Sequence, residues 1–162
     1  MMNKRVAQLL NDQVNKEFFS AYLYLGISKY FEREGLKGFA SWYKAQAAEE
    51  QEHAMKIYDY LLDEDEDVIL KQIAGVSVDF KEVIDAAKEA DKHEKYITEE
   101  IVKIMDAAVD DKDYKTQLFL NWFITEQQEE ERNSKEMVAK IKLLGKDKKN
   151  LYLLDKELAA RK

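Results

Sequence analysis

Glu50 and His53 stand three residues apart in the segment Ala48-Glu49-Glu50-Gln51-Glu52-His53. On a helix, that spacing projects a carboxylate and an imidazole side by side from one face. The same face otherwise carries Phe39, Trp42, Tyr43 and Gln46 before the pair, and Ile57 and Leu61 after it. A stripe of this kind should pack against the rest of the protein, yet ionised Glu is almost never fully buried without a partner. Either the stripe is wet at this level, or a cation is held there.

The interruption recurs. Glu17 and Glu50 are 33 residues apart, and so are Glu94 and Gln127. Each later member has a second polar residue three positions on: His53 in the first half, Glu130 in the second. One such Glu would be read more simply as a solvated residue on an imperfectly drawn stripe. A central polar residue on every stripe, at matched spacing, describes instead two equivalent helical hairpins with these side chains at one depth. Two like charges about 4 Å apart repel by about 4 kcal/mol at an effective dielectric near 20. Glu17, Glu50, Glu94 and Glu130 in one core must therefore protonate or bind cations. Carboxylates with one imidazole suit Fe, Mn or Zn. Glu from two helices and Glu-x-x-His from others is the di-iron carboxylate arrangement of helical bundles. The competing structural reading is a metal-free helical scaffold whose core carboxylates are only hydrated.

The elements that must position these groups are long helices. With no Pro, five Gly and 36% charged residues, the chain has few helix breakers. Apolar residues at spacings of three and four predict helices over about 3–33, 39–64, 80–110 and 114–144, with a short fifth over 151–161. Gly35 and Gly38 are available for positive φ in the first turn. Residues 65–79 lose the period, and the stretch is long enough to cross the bundle between parallel neighbours. Asp79 with Glu82 reads as a capping-box start for the third helix, and Gly145 as the residue just past the end of the fourth. The expectation is a single all-α domain: a four-helix bundle with a long crossover between helices two and three, plus a short C-terminal fifth helix.

Other chemistries are excluded by composition. The absence of Cys removes disulfides, thiolate metal sites and thiol catalysis. No apolar N-terminal region or run of eighteen apolar residues is present, so neither a secretory leader nor a membrane span is expected, and the cytoplasm is the default location. A net charge of −7 disfavours nucleic acid and anionic lipid as partners.

These residues resemble the non-haem bacterial ferritins along essentially the whole chain. The resemblance is carried by Asn15-Lys16-Glu17, Tyr22-Leu23-Tyr24, Ala48 to Ala54, Lys92-His93-Glu94, Phe119 to Phe123, Glu126 to Glu131 and the ending Leu151 to Leu158. It implies a ferritin-like fold in which Glu17, Glu50 and His53 hold a first iron, with Glu50 bridging. Glu94 and Glu50 would hold the second, with Gln127 beside it. Glu49, Glu126, Glu129 and Glu130 would form a third position. Tyr24 matches the tyrosine next to the diiron centre, which supplies an electron or a hydrogen bond there.

The implied activity is a ferroxidase with iron storage. Ferrous iron is oxidised by dioxygen or hydrogen peroxide, and the mineral is kept in a homo-oligomeric shell of twenty-four subunits. The related bacterioferritins look more symmetric, with Glu-x-x-His in both halves, and their haem-ligating methionine falls at Gln51, so no haem is expected. The three-fold channel carboxylates of the animal ferritins fall near Gln117 and Leu120, neither of them acidic. A non-storage di-iron oxidase or peroxidase of the rubrerythrin kind is the enzymatic alternative, although the Cys-rich module usual there is missing. Because only the first half has the imidazole and a potential bridge, tighter binding is expected at Glu17/Glu50/His53 than at Glu94. His93, one position off its stripe, is expected at the surface or supporting the ligands from behind. Trp122 is expected to be core packing, and the basic run Lys140 to Lys149 a solvated helix end.

Overall fold

The computed structural model describes residues 1–161. Among them are five helices: α1 (Lys4–Arg33), α2 (Lys37–Asp63), α3 (Val83–Asp110), α4 (Tyr114–Leu144) and α5 (Lys148–Leu158). α1 pairs with α2 and α3 with α4, and the two hairpins join mainly through α1 and α3. None of the described helices is long and apolar enough to cross a membrane.

Local chemistry explains the ends. Gly35 takes φ +76°, the left-handed turn between α1 and α2, which glycine adopts without a Cβ penalty. Gly38 serves a different purpose from the expected one. It lies inside α2, where a Cβ would collide with the main-chain oxygen of Asp155 in α5. Leu36 gives α2 no side-chain cap, and Asp155 supplies one from α5 by accepting from the Phe39 amide at 2.9 Å. The capping box of α3 lies one turn later than expected, between Glu82 and Asp85, so the helix begins at Val83 and not near residue 80. Gly145 is not left-handed. Its φ is −76°, and its amide bonds Ile141 O at 2.7 Å, where a Cβ would sit 2.6 Å from that oxygen. α5 starts early because Asp147 caps it through the Lys149 and Asn150 amides.

The crossover is held along α1 by side-chain amides that imitate a strand partner. Asn11 donates to Asp67 O at 2.9 Å and accepts from Ile69 N at 2.7 Å. Asn15 repeats the pattern with Ile69 O at 2.9 Å and Lys71 N at 2.8 Å. Further on, Val76 and Val78 pack against Gly26, and Phe80 meets the edge of Tyr30. The segment thus travels beside α1 from its first turns to its last, which makes α3 antiparallel to α1 and parallel to α2.

The apolar core is split. One cluster includes Ile27, Phe31, Phe39, Tyr43, Ala87 and Met137, with Phe31 stacked between Phe39 and Tyr43. The other includes Leu10, Val14, Ile57, Ile97, Ile101 and Phe123. Between them lies a layer of buried polar side chains, closed above and below by dense apolar packing.

Candidate metal centre

Each long helix delivers its central polar residues to that layer. Glu17 comes from α1, Glu50 and His53 from α2, Glu94 from α3, and Gln127 and Glu130 from α4, and all are buried. Three groups converge with ligand atoms within 4.8 Å of one another: Glu17, Glu50 and His53; Glu50, Glu94 and Glu130; and His53, Glu126 and Glu130. Glu50 belongs to the first two, the geometry of a carboxylate shared between neighbouring cations.

Glutamine and tyrosine side chains orient the carboxylates. Gln13 donates to Glu17 Oε1 at 2.9 Å. Gln46 donates to Glu130 and, at 3.4 Å, to Glu50 Oε1. The Tyr24 hydroxyl donates to Glu94 Oε1, and Gln127 Nε2 donates to Glu94 Oε2 at 3.1 Å. Gln127 therefore turns its nitrogen to Glu94 and holds that carboxylate from the side. Two buried atoms are left without a hydrogen bond among the described residues, Glu17 Oε2 and His53 Nδ1. His53 Nδ1 does lie 3.3 Å from Glu50 Oε2, but the contact lacks hydrogen-bond geometry, so proximity without donation is the physical description. Buried polar atoms are rarely left unpaired, and a missing ion is one reason they are.

Electrostatics point the same way. Burial first, then the charge and contact of Glu50, push the Glu17 carboxyl well above its usual range. Glu50 is raised by burial and by Glu94. Glu94 is raised by burial, although bonds from Tyr24 and Gln127 favour its charged form. Burial and the charge of Glu94 bring Glu130 to about 9. At neutral pH this layer holds protons, and a dication binding there would displace them.

Not every residue singled out from the sequence converges. Of the four expected at a third position, Glu126 and Glu130 group with His53, while Glu129 is an exposed residue lining the adjoining cleft. Glu49 is paired with Arg161 Nη2 at 2.8 Å. His93 is not at the surface but stands behind the centre, against the Tyr24 ring whose hydroxyl bonds Glu94. It is buried, its Nε2 lies 2.7 Å from Ser20 Oγ, and its ring meets Tyr24 edge-on. Trp122 is not core packing but 39% exposed. Its indole covers His53 at 5.4 Å, with the Lys56 ammonium over the ring. Gln13, Gln46 and Arg161 were missed. Gln13 and Gln46 had a signal: each precedes its glutamate by four residues, and the two are themselves 33 apart.

Residues 7–144 match the family model of the ferritin-like domain. The chain belongs to the ferritin family. It is 39% identical over 161 residues to the bacterial non-heme ferritin of Staphylococcus epidermidis, covering 99% of this chain and 97% of that one. It is 35% identical, with the same coverage, to the bacterial non-heme ferritin of Staphylococcus aureus. Among solved structures, the open pore ferritin of Archaeoglobus fulgidus superposes with a TM-score of 0.98 at 36% identity over the whole of both chains. A closed form of that ferritin, engineered by site directed mutagenesis, gives 0.97 at 36% identity over 100% of this chain and 99% of that one. In this ferritin two of the candidate ligand groups share Glu50, and the cleft beside Glu126 and Glu130 adjoins them.

Proposed function

We propose that this ferritin takes up ferrous iron as substrate at the buried layer, oxidises it there, and stores the ferric product in a shell of twenty-four copies in the cytoplasm. The observation that carries the reading is the pair of unsatisfied buried atoms, Glu17 Oε2 and His53 Nδ1, whose residues form one close group with the shared Glu50. Glu17, Glu50 and His53 would hold one iron, and Glu50 and Glu94 the other. Gln127 and Tyr24 keep Glu94 in place, and the cleft residues Glu49, Glu126, Glu129 and Glu130 would receive a third. Two ferrous ions give one electron each to dioxygen, which leaves with two protons as hydrogen peroxide, and carboxyl protons displaced by metal are available nearby. The apolar clusters above and below exclude bulk water from the step.

Anaerobic ferrous titration followed by an oxygen pulse tests the reading. Glu50→Ala and His53→Ala should each abolish the tight equivalent and slow oxidation at least tenfold, and unchanged binding and rate would contradict it. Light scattering tests storage, because a particle of only one or two subunits has no cavity to fill.

A further inference from the structure

The last described residue, Arg161, reaches back across the chain to the edge of the centre. α5 is docked on α2 by the Asp155–Phe39 bond and by the close approach at Gly38. Beyond it, the Arg161 guanidinium carbon lies over the Trp42 ring, 4.3 Å from its centroid. Nη1 donates to Trp42 O at 3.2 Å and to Gln46 Oε1 at 3.1 Å, and Nη2 donates to Glu49 Oε1 at 2.8 Å. The side chain is only 20% exposed. A planar fork satisfied on several sides and set over an indole is a held cation, unlike a loose surface charge.

Its position matters because it lines the same cleft of about 320 Å³ as Glu49, Glu126, Glu129 and Glu130. The other cation on that cleft, Lys140, is exposed and turned to Glu157 at 3.5 Å. Arg161 thus supplies fixed positive charge where the acidic side chains would draw a metal ion. By taking Gln46 Oε1 it also sets which end of that amide faces inward, so that Nε2 is spent on Glu130 and Glu50.

We propose that Arg161 is the resident counter-cation of the outer cleft, and that a dication binds there only by displacing it from Glu49. This rests on the metal-binding reading above. A guanidinium and a dication cannot share Glu49 without strong like-charge repulsion. The outer position therefore fills last, and its filling releases Gln46 from its fixed orientation beside Glu130.

The test is anaerobic calorimetric titration of the assembled protein with Zn(II), a redox-silent probe, in wild type, Arg161→Gln and Arg161→Lys. In Arg161→Gln the third equivalent should tighten about tenfold, or appear where wild type shows none, while the first two equivalents keep their affinity. Arg161→Lys keeps the charge but not the planar fork, so its third equivalent should fall between wild type and Arg161→Gln. Indole emission in a Trp122→Phe background, which leaves Trp42 as the one tryptophan, gives a second readout. Trp42 should change at the third equivalent with Arg161 intact as the guanidinium leaves it, and should not change in Arg161→Gln. A third equivalent that is unchanged or weaker in Arg161→Gln, with the first two intact, would overturn the proposal. Loss of the first two in wild type itself would overturn the metal-binding reading and this inference with it.

Discussion

Glu17 and His53, from neighbouring helices, bring ligand atoms within 4.8 Å of each other, and each keeps one buried atom with no hydrogen-bond partner. Glu17 has a donor, Gln13, on Oε1 alone, whereas Glu94 has donors on both oxygens. The unsatisfied pair therefore marks where a cation would stabilise the fold most, and the surrounding groups can be tested by what they do with and without one.

The metal-free protein should lose stability as pH rises. A carboxyl raised in the fold keeps its proton while the unfolded chain releases one. Its contribution is thus complete below the ordinary 4.5 and is lost on the way up to the folded value, about 9 for Glu130. Glu130→Gln removes the titration, so its stability relative to wild type should rise by about 5 kcal/mol between pH 4 and pH 8 in the metal-free protein. Thermal unfolding in the presence of chelator, across that range, checks it.

His93 gives the opposite slope. Burial lowers it from 6.5 to about 4, so the unfolded chain takes up a proton before the fold does, and stability is lost as pH falls between those values. The loss should reach about 3 kcal/mol by pH 4. Subtracting the stability profile of His93→Gln from that of wild type isolates it.

Tyr24→Phe removes the hydroxyl that donates to Glu94. Losing a hydrogen bond to a charged acceptor costs about 1.5–3 kcal/mol, so the second ferrous equivalent should bind roughly tenfold more weakly while the first is unaffected. Anaerobic titration of the two equivalents separates the effects.

Gly38→Ala forces a methyl group into the Asp155 carbonyl. Overpacking of this kind costs about 1–3 kcal/mol. Here it should also loosen α5, seen as faster proteolysis between α4 and α5 with the four long helices protected.

The helical architecture was legible because so few breakers interrupt the pattern, and because a carboxylate in an apolar stripe is conspicuous. Positions that depend on which way a helix is turned were less so. Trp122 lies at a stripe edge, where one residue's rotation of about 100° separates core from solvent, and it is partly exposed where core packing is expected. The capping box moved by a turn because Asp79, Glu82 and Asp85 offer the same spacing twice. Arg161 could not be read at all. Its partners lie 112 to 119 residues earlier and meet it only once α5 has docked.

The central claim is that the duplicated site is unequal, with the imidazole half anchoring one iron and the Glu94 half holding the other loosely. Anaerobic soaking of crystals with less than one ferrous ion per subunit, followed by anomalous difference maps, tests it directly. The account predicts density at Glu17/Glu50/His53 well before any at Glu94. Equal occupancy of the two positions would contradict it.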